Sequence, residues 1–377
     1  MIFCMEQASF TLKNKDTTCD VFAGTNLYDE IINYLKKMNK AKYAIITDSK
    51  VEKLHGETFL AKCKDAGLDV FMTSFLEGEK NKTRQTKENL EDALFAEKCG
   101  RDAVVIALGG GVTGDMSGFV AGTYMRGIPV VQIPTTTISI ADSSYGGKTG
   151  LDVPAGKNLV GVFHQPVAVF MDTELLKTLD KRNYDSGLIE IIKHGIIKNK
   201  EFYNFLKENL EVILSREGEG YDKVMSKVVM DNIAIKREVV LEDQKESNLR
   251  KILNYGHTIG HAVEKLSNFD LLHGEAISIG ICAEAFLAYK NGICSEDCFL
   301  EQKEIINALG QETKIPQGIS TNDIIELMKL DKKARDGMPE FSLVSEIGKY
   351  FEEDGVIAKR FTLENLKEAI DEYKKLD

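Results

Sequence analysis

The sequence predicts an α/β domain built on a parallel sheet, followed by a mainly α-helical domain. Three observations carry this reading. Short β-branched runs alternate with amphipathic stretches through the first third of the chain; a segment rich in Gly, Pro, Ser and Thr then interrupts them; and beyond about residue 184 the apolar spacing turns helical. At 377 residues with 43% apolar content, the chain is long enough for two domains. We place the boundary near 180, giving 1–180 and 181–377.

In chain order, residues 43–47 (YAIIT) read as a strand, followed by a helix that closes near Gly67. Residues 70–75 form the next strand, a helix begins at Thr83, and residues 103–108 (AVVIAL) form a third strand. That order implies crossover helices between parallel strands. Four of the six prolines fall between 129 and 166, in a segment that reads as loop-dominated and therefore suited to carrying function. Helical patterns follow at 185–198, 221–241, 254–266 and 273–289, and after Thr362, where the charged ENLKEAIDEYKKLD reads as a solvated face. Repeats and low-complexity tracts are not visible.

Composition narrows the function classes. A net charge of -11 argues against general nucleic-acid binding, so cationic clusters read as local anion sites. Seven cysteines without a CxxC pair suit reduced thiols in a cytoplasmic protein, and no structural disulfide is expected. The N-terminus (MIFCMEQASF) has neither a basic segment nor a long apolar core, and no run approaches the ~20 apolar residues of a membrane span. Neither secretion nor membrane insertion is expected.

Three of the six histidines, His257, His261 and His273, lie close together in NYGHTIGH and the following HGE. Neutral imidazole is the commonest ligand for zinc-like ions, and the four-residue offset places His257 and His261 on one helical face. A single histidine is more often a cap or a satisfied core group; three in one window favour a divalent cation. Spacing alone selects His257, His261 and His273 and leaves Glu190, set among apolar neighbours, as paired, solvent-facing or metal-bound.

Directly after the strand at 103–108 comes GGGVTGD, which satisfies the dinucleotide fingerprint formally, though a tight structural turn reads equally well. The ribose-binding acid expected some twenty residues on is missing. Asp48, at a strand end, could hold a ribose hydroxyl or simply cap a helix. DSSYGGKTG, continuing to GKN, sets two lysines in glycine-bearing loops, which suits phosphate or carboxylate binding; its spacing is not that of a Walker loop.

With the glycine loop, DSSYGGKTG, GKN, the Glu190 helix and Arg250-x-x-x-Asn254-x-x-His257 through HGEA in order, the chain resembles the 3-dehydroquinate synthases, within the wider sugar-phosphate cyclases, over most of its length. The resemblance implies a Rossmann-like N-terminal nucleotide-binding domain, a helical C-terminal domain, an active site in the cleft between them, and a homodimer. It implies a metal, Zn2+ or Co2+, on Glu190, His257 and His273, with His261 near the substrate instead. It implies NAD on Asp48, Glu77, Gly78, Glu79, Lys80, Asn81, Lys82, Gly111, Val112, Thr113, Gly114, Asp115, Thr135, Thr136, Asp142, Lys148, Lys157, Leu175, Leu176, Lys177 and Thr178. Substrate contacts would be Arg126, Asp142, Lys148, Asn158, Lys193, Lys236, Arg250, Asn254, His261 and one of Lys332 and Lys333, with Arg126 reaching into the neighbouring subunit. Chemistry would fall on Lys148, Lys193, Glu246, Asn254 and His261. Three positions depart from the family pattern: Lys50 for an asparagine, Gln244 for an acid, and Asn248 for a glycine.

The implied reaction converts 3-deoxy-D-arabino-heptulosonate 7-phosphate to 3-dehydroquinate and phosphate. A secondary hydroxyl held on a Lewis-acidic metal is oxidised by NAD, phosphate leaves by β-elimination, the hydride returns, and an intramolecular aldol closes the ring. A substrate carrying both carboxylate and phosphate accounts for Lys148, Lys193, Lys236, Arg126 and Arg250. The rivals are a cyclase making 2-deoxy-scyllo-inosose or an epi-valiolone from a carboxylate-free sugar phosphate, a metal-dependent polyol dehydrogenase that releases NADH, and a nucleotide-binding sensor without activity.

Overall fold

The computed structural model describes residues 8–13, 18–243, 248–268, 270–330 and 338–376. Two compact units emerge: residues 1–180 with 217–230, and residues 181–216 with 231–377. The helix Gly218–Glu242 contributes its first half to the former and its second half to the latter. Local periodicity gives no sign of that discontinuity, and the sequence reading assigned the whole helix to the second domain.

In the first unit a seven-stranded sheet runs in the order β1-β2-β9-β6-β5-β3-β4. The strands are β1 (Ala8–Lys13), β2 (Thr18–Gly24), β3 (Lys42–Asp48), β4 (Val70–Phe75), β5 (Ala103–Gly109), β6 (Val130–Pro134) and β9 (Ala168–Asp172). Only the β1–β2 pair is antiparallel. A continuous apolar run such as AVVIALG suits a central strand covered on both faces, and all seven residues of β5 are buried. Alternate residues serve opposite layers. Tyr43, Ile45, Val104 and Ile106 pack with Ile31, Leu35, Phe59 and Cys63 from the helices Tyr28–Met38 and Glu57–Asp65. Ala44, Ile46, Val105 and Ala107 pack with Leu90, Leu94, Met116 and Val120 from Arg84–Ala96 and Gly111–Thr123. Thr83 caps the first of these last two helices, its hydroxyl accepting from Thr86 N at 3.2 Å.

The chain leaves β3 for β4 on one side and returns to β5 on the other, so the order reverses between the carboxyl ends of β3 and β5. In open α/β sheets such a reversal opens the crevice where ligands bind. Asp48 ends β3, and Gly109 to Gly111 join β5 to its helix.

The segment between 129 and 166 is more regular than its composition suggests. Besides β6 it holds an antiparallel hairpin, β7 (Lys148–Val153) with β8 (Gly156–Phe163). Gly150 and Gly161 face each other in that ladder, and a Cβ on Gly161 would lie 1.9 Å from Thr149 O. These glycines serve close backbone approach within a ladder.

The second unit is mainly helical. Its two central helices, Lys181–Lys198 and His273–Lys290, are buried nearly all round, as helices without a polar face must be. The pattern also concealed the helices Glu296–Ala308 and Thr321–Leu330. The six described cysteines are free and buried. Among the described residues no helix is long and apolar enough to cross a membrane.

Candidate functional site

Three helices of the second unit assemble one cluster. Gly274 sits so close to the helix Lys181–Lys198 that a Cβ there would fall 1.8 Å from Ser186 O, and Gly274 N donates to Ser186 Oγ at 3.0 Å. Glu190, one turn beyond Ser186 on the same face, is thereby brought to His273. The helix His257–Leu266 packs equally closely on His273–Lys290: a Cβ on Gly280 would lie 1.9 Å from Gly256 O. That contact carries His257 to the same point.

Glu190 is 1% exposed. Among the described residues its Oε1 has no hydrogen-bond partner, and it lies 3.5 Å from His257 Nε2 and 3.6 Å from His273 Nε2. A carboxylate oxygen buried without a partner is costly. Two donors on one tetrahedral zinc, each at 2.0–2.1 Å, stand about 3.4 Å apart, so the two separations match ligands of a shared ion. The remaining ring nitrogens are held as ligating imidazoles usually are: His257 Nδ1 faces Tyr255 O at 3.0 Å and His273 Nδ1 faces Glu264 Oε2 at 3.2 Å. His261 adjoins both, with ring centroids 5.1 Å and 5.8 Å away, and the ligating atoms of the three histidines all lie within 4.8 Å of one another. The donor set thus fits a divalent cation.

The electrostatics agree with that fit. Burial alone would raise the Glu190 carboxyl, but Lys193 and the two imidazoles outweigh it and hold it well below the ordinary range. Burial, helped by Lys193, keeps His257 neutral, the form that ligates. Burial opposes charge on His273 too, yet the negative charges of Glu190 and Glu264 beside it draw it up to about 9, so a proton stands where a cation would. Lys193, 1% exposed, donates to Glu190 Oε2 and, at 2.7 Å, to Leu253 O. Lys236 and Arg250 are also buried, while Asn254 ends the 3-10 turn Leu249–Asn254 and is half-buried. Glu246, Lys332, Lys333 and Gln244 lie outside the described residues.

In the first unit the proposed nucleotide residues gather along the carboxyl edge of the sheet. Gly110 is the N-cap of Gly111–Thr123 and has no side chain with which to cap it, so the first amides of that helix receive no cap from that position, as an anion site requires. A Cβ on Gly109 would meet Thr113 Oγ1 at 2.5 Å, so glycine there permits the tight turn. Asp48 does cap a helix: its Oδ1 accepts from Lys50 N and Val51 N, both at 3.0 Å, while Oδ2 accepts from Thr113 Oγ1 at 3.1 Å. Exposed Lys50, where the family pattern has asparagine, pairs with Asp180 at 3.4 Å.

Glu77, Gly78, Glu79, Lys80 and Asn81 form a turn beyond β4, tied to Ser49 by Glu77 N at 3.2 Å. Lys82 is buried and donates to Asp115 and to Asn158, each at 2.6 Å, which fastens the hairpin to the glycine-loop helix. Thr135 and Thr136 follow β6, and Asp142 lies in the turn Ser139–Ser143. Lys148, Lys157 and Asn158 are exposed on the hairpin. Leu175 and Leu176 are buried, so contacts of theirs with a nucleotide could come only through backbone; Lys177 pairs with Glu174 and Asp222, and Thr178 with His55 at 2.7 Å. Arg126 is exposed on a left-handed run, Met125, Arg126 and Gly127, at φ 51°, 70° and 113°.

Sequence reasoning missed Glu264. A signal existed: His257, His261 and Glu264 recur at i, i+4 and i+7, one face of one helix.

Two family models match the chain in succession, 3-dehydroquinate synthase N-terminal over residues 72–186 and 3-dehydroquinate synthase C-terminal over 187–334. A 3-dehydroquinate synthase of Prochlorococcus marinus (strain AS9601) is 38% identical, over 89% of this chain and 92% of its own. A 2-deoxy-scyllo-inosose synthase solved with carbaglucose-6-phosphate, NAD+ and Co2+ superimposes with a TM-score of 0.87 at 26% identity, covering 97% of this chain and 100% of that one. A 2-epi-5-epi-valiolone synthase of Streptomyces hygroscopicus subsp. jinggangensis, with NAD+ and Zn2+ bound, gives 0.85 at 25% identity, over 97% of this chain and 99% of that one.

Proposed function

Because the chain belongs to the 3-dehydroquinate synthase family, we propose that it converts 3-deoxy-D-arabino-heptulosonate 7-phosphate to 3-dehydroquinate and phosphate, the ring-forming step of aromatic amino-acid biosynthesis. The observation that carries the reading is the Glu190 oxygen that has no hydrogen-bond partner among the described residues and is set 3.5 Å and 3.6 Å from two imidazole nitrogens. The identity to a 3-dehydroquinate synthase, 38%, exceeds the 26% and 25% to the two carboxylate-free-sugar cyclases, which favours the acidic substrate over that rival.

Glu190, His257 and His273 would hold Zn2+ or Co2+, and the glycine loop with Asp48 would hold NAD. When bound, these supply hydride acceptance and return and the polarisation of a substrate oxygen. The chain's own residues do the rest. Lys193 holds one carboxylate oxygen of Glu190 so that the other points at the imidazoles. An ammonium has three donors; among the described residues two go to Glu190 and Leu253, and the third would serve a substrate oxygen. Lys236 and Arg250 neutralise the anionic groups of the substrate, and Asn254 and His261 orient the hydroxyls. His261 is placed to bind substrate beside the cation and need not ligate it. Arg126 completes the site of a second subunit in a cytoplasmic homodimer, which its backbone, held at positive φ on the surface, would present outward.

The test is incubation with catalytic NAD, a divalent metal and, in turn, the acidic sugar phosphate, glucose 6-phosphate and sedoheptulose 7-phosphate. Phosphate release and a carbocyclic product are expected from the first alone, with no net NADH. Reaction of only a carboxylate-free sugar would overturn the substrate; accumulation of NADH would favour a dehydrogenase.

A further inference from the structure

Glu284 stands three turns beyond His273 on the helix His273–Lys290 and is fully buried. A buried carboxylate survives only where its oxygens are satisfied, and here three backbone amides do so. Oε2 accepts from Gly256 N at 2.8 Å, and Oε1 from Thr258 N at 2.9 Å and Ile259 N at 3.0 Å. These amides open the helix His257–Leu266, whose N-cap, Gly256, has φ 78° and no side chain to offer. First-turn amides left bare in a core would be costly, so the missing cap is supplied from another helix, with its negative charge at the positive end of the helix dipole.

His257 is the first residue of the helix so capped. Its flanking amides, 256 and 258, are gripped by one carboxylate, and its Nδ1 is fixed on Tyr255 O. The ring then has little freedom, and Nε2 must face Glu190. We infer that Glu284 is a positioning residue of the metal centre: its carboxylate sets the direction of His257 Nε2 before any ion arrives. The inference rests on the metal reading above.

The test is Glu284→Gln in the full-length chain, with Co2+ as probe and no turnover required. Glutamine keeps the volume but turns one donor toward the amides. Expected are Co2+ binding about 10- to 100-fold weaker, the range for a lost outer-shell partner, and an altered Co2+ visible spectrum, with NAD affinity unchanged. Wild-type affinity and spectrum in the variant would overturn the proposal. Absence of tight Co2+ binding by the unaltered protein would instead sink the metal reading itself. Amide exchange in the unaltered, metal-free protein is independent of whether the variant folds. Amides 256, 258 and 259 should already be protected; exchange as fast as in an open loop until metal is added would refute positioning by Glu284.

Discussion

Replacing Glu190 with alanine should do two separable things. Glu190 and Lys193 are both 1% exposed, so solvent does not screen their pairing. Removing the acid leaves a buried ammonium with Leu253 O as its remaining neutral partner, and breaking a buried pair costs about 3–5 kcal/mol. For a unit of this size each kcal/mol moves the melting temperature by roughly 2–4 °C, so the metal-free variant should melt about 6–20 °C lower. Separately, a ligand present at about a thousand times its Kd stabilises by about 4.1 kcal/mol, or roughly 8–16 °C, which wild type should gain from zinc and the variant should not. Glu190→Ala combined with Lys193→Met tells the two apart: removing the stranded charge restores most of the metal-free stability but none of the zinc response. Melting in chelator and in excess zinc, with metal content measured after dialysis, reads both. A Glu190→Ala protein that keeps stoichiometric zinc and wild-type melting would refute the ligand assignment.

Three further outcomes are expected. His261→Ala should retain tightly bound metal while turnover falls, and loss of metal would return His261 to the ligand set that spacing alone selected. Asp48→Asn keeps an N-cap side chain, so melting should hold, yet NAD should bind about 10- to 100-fold more weakly, because a hydrogen bond to a charged acceptor is worth about 1.5–3 kcal/mol; unchanged NAD affinity by titration would leave Asp48 a cap alone. Burial lowers the His55 pKa from 6.5, with Glu174 opposing, so the folded state holds the ring neutral. The sign follows: its contribution to stability is full above about 6.5 and is lost as pH falls toward the folded-state pKa. His55→Gln should flatten that part of the urea midpoint's pH dependence, and identical slopes in the two proteins would contradict it.

The central strands were legible because a doubly covered sheet demands continuous apolar runs, and YAIIT and AVVIAL have no other comfortable place. The flanking parts were not. β2, with TCDVFAG, carries an acid and a threonine among its apolar residues, and its place beside β9 depends on pairing across more than a hundred residues. Composition misled at 129–166, where glycine reads as loop unless one knows that Gly150 and Gly161 oppose each other.

The metal cluster shows the same limit more sharply. Helical spacing reports neighbours on one helix, so it could pair His257 with His261 and, had the count continued, Glu264. It could not report that Ser186 meets Gly274 or that Gly256 meets Gly280, and these contacts between helices decide which groups converge. The helix start was also out of reach: a pattern reading begins at 254, whereas positive φ at Gly256 delays the helix to His257, and its cap arrives from Glu284 on another helix. Resemblance to a family brought Glu190 into the set where periodicity had left it ambiguous. The physical ground for proposing it there is an oxygen that burial deprives of water and that faces two imidazoles, an arrangement that a cation bound by all three would satisfy.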